Sequence, residues 1–153
     1  MASTSSTSVE IVTESLSVST RGNGEMIDVT SALAEILRKH RFVEGQALAF
    51  VPGSTASLTT VEYEPGLIRD LPEFFERIAP RGGRYHHEET WHDGNGHSHV
   101  RASLLGPSLT VPFHGGRLLL GKWQQVVLID FDVRPRSREL VVQLTGTRAA
   151  AGA

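Results

Sequence analysis

Five of the chain's seven histidines lie within fourteen residues of one another. They are His86, His87, His92, His97 and His99, and three acidic residues, Glu88, Glu89 and Asp93, are interleaved with them. Imidazole is the most common protein ligand for zinc and related metals, and it also transfers protons near neutral pH. The cluster therefore has two functional interpretations, a metal site and an acid–base site, beside a structural one, a solvated polar loop.

The spacing of the histidines gives limited support to a metal site. His97 and His99 are two residues apart, so their side chains share a face only if the chain is extended there. The preceding Gly94-Asn95-Gly96 gives the backbone freedom to bring His87 or His92 close to them. The pattern matches no stringent zinc signature such as His-Glu-x-x-His. Composition alone favours metal binding and a polar loop equally.

Residues around the cluster also have two interpretations each. Asp93 is a candidate general base or partner of a ligating imidazole, although an Asp-Gly turn is the more common use of such a residue. Arg101 and Lys122 are candidate clamps for an anionic substrate, or ordinary surface charges. Trp91 and Trp123 could line a pocket, or they could be buried aromatic residues.

The whole chain narrows the class of protein. Its 153 residues suit one domain with a single core. The formal net charge of −2 gives no support to a partner held by bulk electrostatics, such as nucleic acid or a membrane surface. With no cysteine, any transition-metal site must use imidazole and carboxylate ligands. No signal peptide or membrane-spanning segment is predicted, and we expect a soluble cytoplasmic protein.

The N-terminal half predicts strands around one helix. Alternating apolar residues predict strands over 9–20 and 25–30, joined as a hairpin at Gly22-Asn23-Gly24. A helix over 31–40 follows, capped by Thr30 or Ser31. Two more strands are predicted over 45–52 and 56–64, and Glu62 and Glu64 would face the same way on the second one.

The C-terminal half predicts a second helix and further strands. Asp70 and Glu73 form a capping-box pattern for a helix that stops before Pro80. Residues 99–106 suit a short helix or a strand equally. A hairpin turning at Gly115-Gly116 follows, and then a buried strand over 124–132 with residues 138–146 as its expected partner. We predict an α+β domain over 9–147, rich in mixed or antiparallel β-sheet with two or three helices, between flexible tails 1–8 and 148–153.

The motifs in this order resemble those of the YjbQ-like family. Its members carry a Gly-Asn-x-His-x-His segment, a Leu-Leu-Gly-Pro-Ser stretch and a Gly-Thr-Trp-Gln element, and this chain has "GNGHSH", "LLGPS" and "GKWQ". The resemblance covers roughly residues 9–146. It implies a compact α+β domain, a homotrimer around a threefold axis, and a weak thiamine phosphate synthase activity that joins an aminopyrimidine diphosphate to a thiazole phosphate.

The resemblance also implies roles for individual residues. The histidines that match the family's polar cluster, and that would bind a divalent metal such as zinc, are His87, His97 and His99. The catalytic candidates are Asp93, Asn95 and Glu62. The substrate-binding candidates are Arg101, Ser108, Trp123 and Gln124, and Gly121 also matches the later signature.

Two positions depart from the family pattern. Gly53-Ser54-Thr55-Ala56 stands where His-Thr-Thr-Ala is usual, and Lys122 stands where Thr is usual. The first change removes a possible ligand or proton carrier, for which His86 or His92 could compensate. The resemblance implies an enzyme of the thiamine phosphate synthase type, and the Gly53 departure counts against this activity. The alternatives are a non-catalytic trimeric binding protein for a small phosphorylated metabolite, and a structural assembly module.

Overall fold

The structure is a computed structural model and describes residues 8–149. Its strands are β1 (Glu10–Thr20), β2 (Glu25–Asp28), β3 (Phe42–Phe50), β4 (Ala56–Val61), β5 (Ser108–His114), β6 (Arg117–Leu118), β7 (Gln125–Asp130) and β8 (Arg136–Arg148). Its helices are α1 (Thr30–Lys39), α2 (Pro65–Ile78), α3 (Glu88–Trp91) and α4 (Gly96–Leu105). The tails were predicted over 1–8 and 148–153, of which 1–7 and 150–153 lie outside the described residues.

The strands form two antiparallel sheets, which confirms the predicted α+β class. A five-stranded sheet has the order β1-β8-β3-β5-β6, and a three-stranded sheet has the order β2-β7-β4. The hairpin of β5 and β6 at Gly115-Gly116 is as predicted, with Phe113 opposite Leu118. A fourth helix beyond the two or three expected, the single-turn α3, occupies part of the histidine-rich segment. No helix of the described part of the chain is long and apolar enough to cross a membrane.

β7 is the central strand of the smaller sheet and packs on both faces. Val126 and Leu128 join a core shared with the five-stranded sheet and α1. Val127 and Ile129 point the other way, because side chains alternate along a strand, and join a second core with α2 and α4. The smaller sheet therefore lies between the larger sheet and these two helices, and this position accounts for the nearly continuous apolar run of β7.

The predicted hairpin of the first two strands is wrong. β1 pairs with β8 in the larger sheet, whereas β2 pairs with β7 in the smaller one. The turn at Gly22-Asn23-Gly24 does form, but its amides bond to the end of β7. Asn23 N–H donates to the Asp132 carbonyl at 2.6 Å, and Gly24 N–H donates to the Asp130 carbonyl at 2.7 Å. These bonds carry the chain from one sheet to the other.

The predicted pairing of the last two strands is also wrong. β8 lies between β1 and β3 in the larger sheet, and β7 is flanked by β2 and β4 in the smaller one. The segment 131–135 thus crosses between sheets and is not a hairpin turn. β8 extends to Arg148, and the N–H of Ala149 donates to the carbonyl of Arg41.

α1 has the predicted buried stripe but not the predicted cap. Leu33, Ile36 and Leu37 are buried, as their helical spacing indicated. The residue before the helix is Val29, which has no polar side chain to cap it, and the Thr30 hydroxyl accepts the Val126 N–H at 2.8 Å. The hydroxyl therefore ties α1 to β7 instead of to its own first turn.

α2 begins earlier than the capping-box pattern indicated. The Glu64 carboxylate caps it by accepting the N–H groups of Gly66 and Leu67. Asp70 and Glu73 lie inside the helix, so the predicted capping box is wrong. β4 already ends at Val61, so Glu62 and Glu64 lie beyond the strand and do not share one of its faces as predicted. The predicted stop before Pro80 is confirmed, since the helix ends at Ile78.

Candidate functional site

The histidine-rich segment folds back on itself through a hydrogen-bonded carboxylate. Glu88, at the start of α3, accepts the N–H groups of Gly94 at 2.7 Å and Gly96 at 2.8 Å. These two bonds hold the pKa of Glu88 below its ordinary value. Position 96 requires glycine, because a Cβ there would lie 2.5 Å from Cβ of Tyr85. This carboxylate fixes α3 against the beginning of α4 and so sets the positions of the histidines.

α3 and α4 place two of the histidines side by side. The ring centroids of His87 and His99 are 4.3 Å apart, with the planes tilted by 41°. Nε2 of His87 is 3.6 Å from Oδ1 of Asp93, too far for a hydrogen bond. That nitrogen is buried and has no hydrogen-bond partner among the described residues. A buried nitrogen without a hydrogen-bond partner is unusual, since most buried polar groups in proteins are paired.

His99 is held toward its neutral form. Burial lowers its pKa, and the nearby His87 lowers it further. Asp93 acts in the opposite sense, because a negative charge favours the protonated imidazole. Burial has the largest effect, so the pKa of His99 lies below its ordinary value.

Asn95 contributes a second unsatisfied atom. It is the residue before α4, and its carbonyl accepts the N–H of Ser98 at 2.8 Å. Its side chain is buried, with the residue only 7% exposed, and Oδ1 has no hydrogen-bond partner among the described residues. Asn95 and His87 thus each present an unpaired polar atom at the same place.

These residues line one pocket of about 510 Å³, which we call the histidine pocket. One wall consists of His87, Trp91, Asp93, Asn95 and His99. The facing wall comes from the β3–β4 connection and from the segment between β7 and β8, and consists of Gly53, Ser54, Thr55, Asp132, Arg136 and Arg138. The pocket is of the size that binds small metabolites.

The second wall is an ion-pair network that the sequence analysis missed. Arg138 binds Asp130 through two bonds of 2.7 Å and donates to the Thr55 hydroxyl at 2.9 Å. Arg136 donates to Asp132 at 2.8 Å. No hydrogen bond among the described residues uses Nη1 of either arginine. The available signal was the "DFDVRPRSR" segment, where two acids and three arginines recur at strand spacing.

Gly53 keeps space open beside one of these arginines. Its φ of +143° is a conformation that favours glycine, and a Cβ would lie 3.1 Å from Nη1 of Arg138. The position where the family pattern has histidine is therefore occupied here by a residue that leaves the guanidinium accessible.

The three predicted metal ligands are not brought together. α4 is a helix, so the extended backbone expected for His97 and His99 is wrong, and residues two apart point in different directions on a helix. His97 is 1% exposed and lies near Tyr85, with ring centroids 6.2 Å apart. Within residues 8–149, no three His, Asp or Glu side chains are placed to hold a metal ion. The described residues thus do not fit the predicted zinc site.

The remaining candidates lie away from the histidine pocket. Arg101 is buried against α2, donating to Glu76 at 2.6 Å and to the Ala79 carbonyl at 2.9 Å. Glu62 is an exposed residue after β4. Trp123 is 62% exposed, with Lys122 over its ring.

Four further residues singled out in the sequence also lie outside the histidine pocket. Ser108 and Gln124 line a different groove, where Gln124 donates to the Thr60 hydroxyl at 3.0 Å. His86 is exposed beside Glu89, and His92 is the exposed residue that ends α3. None of the four lines the pocket among the described residues.

Fold and pocket together define an α+β domain of two curled antiparallel sheets with a polar, histidine-bearing pocket. The sequence profile of the UPF0047 protein YjbQ-like family matches residues 14–147. The chain belongs to this family.

Relatives of the chain match over nearly their whole length. A UPF0047 protein of Archaeoglobus fulgidus is 35% identical over 128 residues, which are 84% of this chain and 97% of the relative. The UPF0047 protein YugU of Bacillus subtilis is 32% identical over 135 residues, covering 87% and 98%.

Solved structures agree with the fold. A crystal structure of a YbjQ-like protein of unknown function from Sulfolobus solfataricus P2 matches with a TM-score of 0.86 and 28% identity, covering 91% of this chain and 99% of the other. A hypothetical protein from Aeropyrum pernix K1 matches with a TM-score of 0.82 and 32% identity, covering 88% and 98%. The predicted membership and fold class are therefore confirmed.

Proposed function

We propose that the histidine pocket binds small phosphorylated metabolites and carries out a thiamine phosphate synthase-type coupling. In this reaction the bond between a pyrimidine methylene carbon and a diphosphate oxygen breaks, and the diphosphate leaves with the electron pair. The thiazole nitrogen then bonds to the same carbon. The observation that carries the proposal is the meeting, in one pocket, of two histidines and an asparagine with two arginines whose Nη1 groups form no hydrogen bond among the described residues.

The arginine wall suits the leaving group. A departing diphosphate accumulates negative charge, and groups already positioned to receive that charge lower the barrier. Nη1 of Arg136 and Nη1 of Arg138 can donate to its oxygens while Asp132 and Asp130 hold the guanidinium groups in place. His99, whose lowered pKa favours its neutral form, would contact the uncharged part of a substrate.

A second space adjoins the pocket and gives room for a second substrate. This space, of about 380 Å³, is lined by Gly53, Ser54, Ala56, His99, Ala102, Ser103, Gly106 and Pro107. It shares Gly53, Ser54 and His99 with the histidine pocket. Two adjoining compartments that meet at an imidazole support a reaction between two molecules better than the binding of one.

Non-catalytic binding of a phosphorylated metabolite is the second candidate. The observation that favours it is Gly53, which stands where the resembling pattern has histidine and contributes no side chain to the junction of the two spaces. Neither version assigns a metal to protein side chains, because no three His, Asp or Glu residues gather as ligands among the described residues. We further propose that the protein acts as a homotrimer.

The proposal is tested by measuring binding and turnover on the same protein. Thermal shift and calorimetry with the aminopyrimidine diphosphate and the thiazole phosphate should show stabilisation, because a ligand that prefers the native state raises its stability. Mass spectrometry should then detect thiamine phosphate. Stabilisation without product supports the binding protein, whereas neither stabilisation nor product contradicts both candidates.

Two arginine variants give this experiment a matched control. Arg136→Met removes a pocket guanidinium and should weaken binding of the diphosphate about tenfold or more, the effect of losing a charged hydrogen bond. Arg134→Met removes the same charge from an exposed position two residues away that does not line the pocket. Equal effects of the two changes would show that only general charge matters.

A further inference from the structure

A cavity distinct from the histidine pocket and from its adjoining space lies on the other side of α4 from the pocket. It has a volume of about 270 Å³ and shares no lining residue with that pocket. Its apolar wall consists of Met26, Leu71, Pro72, Phe75, Ile129 and Phe131. Arg101 and Arg81 also line it, with Glu76 and Glu73 beside them. We call it the arginine cavity.

Arg101 is a buried cation whose hydrogen bonds are incompletely satisfied by the protein. The residue is 4% exposed. Nε donates to the Ala79 carbonyl and Nη2 donates to Glu76, whereas Nη1 has no partner among the described residues. Nη1 is not among the polar atoms that are both sealed from solvent and unpaired, so it remains open to a ligand. A buried guanidinium with a free N–H favours an anionic acceptor.

Glu76 does not take up that remaining capacity. Its Oε2 accepts from Arg101 at 2.6 Å, and its Oε1 accepts the backbone N–H of Arg81 at 2.9 Å. These bonds hold the pKa of Glu76 below its ordinary value, the Arg81 amide having the larger effect. The carboxylate is therefore ionised and occupied in holding the end of α2 to α4. The guanidinium of Arg81 is exposed and forms no ion pair among the described residues.

The apolar wall of the cavity suits the uncharged part of a ligand, which would pack against it. Phe75 and Phe131 meet edge to face, with ring centroids 5.0 Å apart and planes at 74°. Met26 and Ile129 are buried beside them. Aromatic pairs of this geometry accept a further flat ring favourably, and methionine sulfur also contacts aromatic rings well. The volume is just below the roughly 300–1,000 Å³ of most ligand pockets, so the ligand must be small.

We propose that the arginine cavity is a binding site for a small aromatic carboxylate. The ring lies against Phe75, Phe131 and Met26, and the carboxylate accepts from Nη1 of Arg101 and pairs with Arg81. The site is separate from the histidine pocket and does not depend on the function proposed for it.

The chain offers a direct probe of this cavity. Met26 is one of two methionines, the other being Met1. In protein labelled with ¹³C at the methionine methyl groups, the Met26 signal, assigned by Met26→Leu, reports on the cavity wall. Phenylacetate should shift this signal saturably, because the ring current of a bound aromatic ligand acts on nearby methyl groups. The neutral phenylacetamide, which has the same shape, should bind at least tenfold more weakly.

Variants of exposed arginines test whether ligand binding depends on positive charge at the cavity, without disturbing the core. Arg81→Gln keeps the backbone N–H that binds Glu76 and should weaken phenylacetate binding about two- to fivefold, the range expected for a partly exposed ion pair. Arg77→Gln makes the same charge change on α2 at an exposed position outside the cavity and should leave binding unchanged. No saturable shift of the Met26 signal at millimolar phenylacetate, or equal affinity for acid and amide, overturns the proposal.

Discussion

His99 is a pocket residue whose pKa is shifted by burial and by its neighbours. Burial lowers its pKa, the proximity of His87 lowers it further, and Asp93 partly opposes both effects. His97, two residues earlier, also has a lowered pKa, from burial and then from the charge of Arg101. Both imidazoles are therefore neutral at a pH where an exposed histidine would be partly protonated.

We expect Asp93→Asn to lower the pKa of His99 further. The carboxylate favours the imidazolium, so its removal leaves burial and His87 unopposed. An NMR titration of the imidazole protons, assigned with His99→Gln, measures this change. Asp70→Asn, an exposed change on α2, serves as the control and should leave the titration as it is. A His99 pKa at or above the ordinary 6.5 in the unmodified protein would contradict the prediction.

The lowered pKa values of His97 and His99 predict how the stability of the protein changes with pH. Because folding lowers the pKa of His97 and His99, the unfolded chain binds more protons between the folded and unfolded pKa values. The contribution of these histidines to the free energy of unfolding is fully present above the unfolded-state pKa. It decreases as the pH falls from the unfolded-state pKa towards the folded-state pKa. Urea unfolding of the unmodified protein and of His99→Gln at several pH values would show a smaller loss in the variant.

At the scale of elements, the Arg138–Asp130 pair joins the two sheets. Arg138 lies on β8 in the larger sheet, and Asp130 ends β7 in the smaller one. Thr20, at the end of β1, donates to the same carboxylate at 2.6 Å. Asp130 is fully buried and Arg138 is 9% exposed. The pair therefore closes the end of the layered structure and also holds one wall of the histidine pocket.

We expect Arg138→Met to lower the free energy of unfolding by about 3–5 kcal/mol, because it leaves the buried Asp130 carboxylate without its counter-ion. Arg38→Met is the matched control. It removes an ion pair with Glu35 whose side chains are 73% and 60% exposed, and should change stability by less than about 1 kcal/mol. Urea denaturation at one protein concentration measures both. Similar losses in the two variants would show that the inter-sheet pair is unimportant.

At the scale of the whole molecule, several large apolar side chains remain on the surface. Among the described residues, Val9, Ile11, Leu104, Leu119 and Trp123 are each more than half exposed. Val9 and Ile11 lie just before and within β1, an outer strand of the larger sheet, whose edge can accept another chain. This apolar edge of β1 is a surface on which the subunits of the proposed homotrimer could pair.

The trimer has a simple test. Light scattering during size-exclusion chromatography at micromolar concentration should give three times the mass of one chain. Dilution should lower this mass if the interface is weak, since association depends on concentration. A mass equal to one chain across the whole range would contradict the trimer and any function that requires it.

Patterns decided by neighbouring residues were predicted correctly. The stripe of Leu33, Ile36 and Leu37 indicated α1, and Gly115-Gly116 indicated the hairpin of β5 and β6. The resemblance of "GNGHSH" to the family segment singled out a stretch whose Asn95 and His99 line the histidine pocket, and the function of these residues stays a prediction. Such features follow from backbone geometry and side-chain periodicity within a few residues.

Features that depend on distant residues were not predictable in this way. The glycine turn after β1 and the Pro/Arg turn before β8 each suggested a hairpin, but both move the chain between sheets. Likewise, Thr30 matched a cap, yet its hydroxyl bonds to Val126, 96 residues away. In each case a contact from elsewhere in the chain replaced the local one.

The sequence by itself determined the family, the α+β class and the segment that carries the histidine pocket. Only the tertiary structure decided which residues meet there. Because α4 is a helix, His99 faces the pocket with His87, whereas His97 is buried near Tyr85 and Arg101 faces α2. The arginine wall comes from the end of β7 and the start of β8, which the fold brings opposite α3. Spacing along a chain fixes which side chains can share a face, but the packing of distant elements fixes what each face meets.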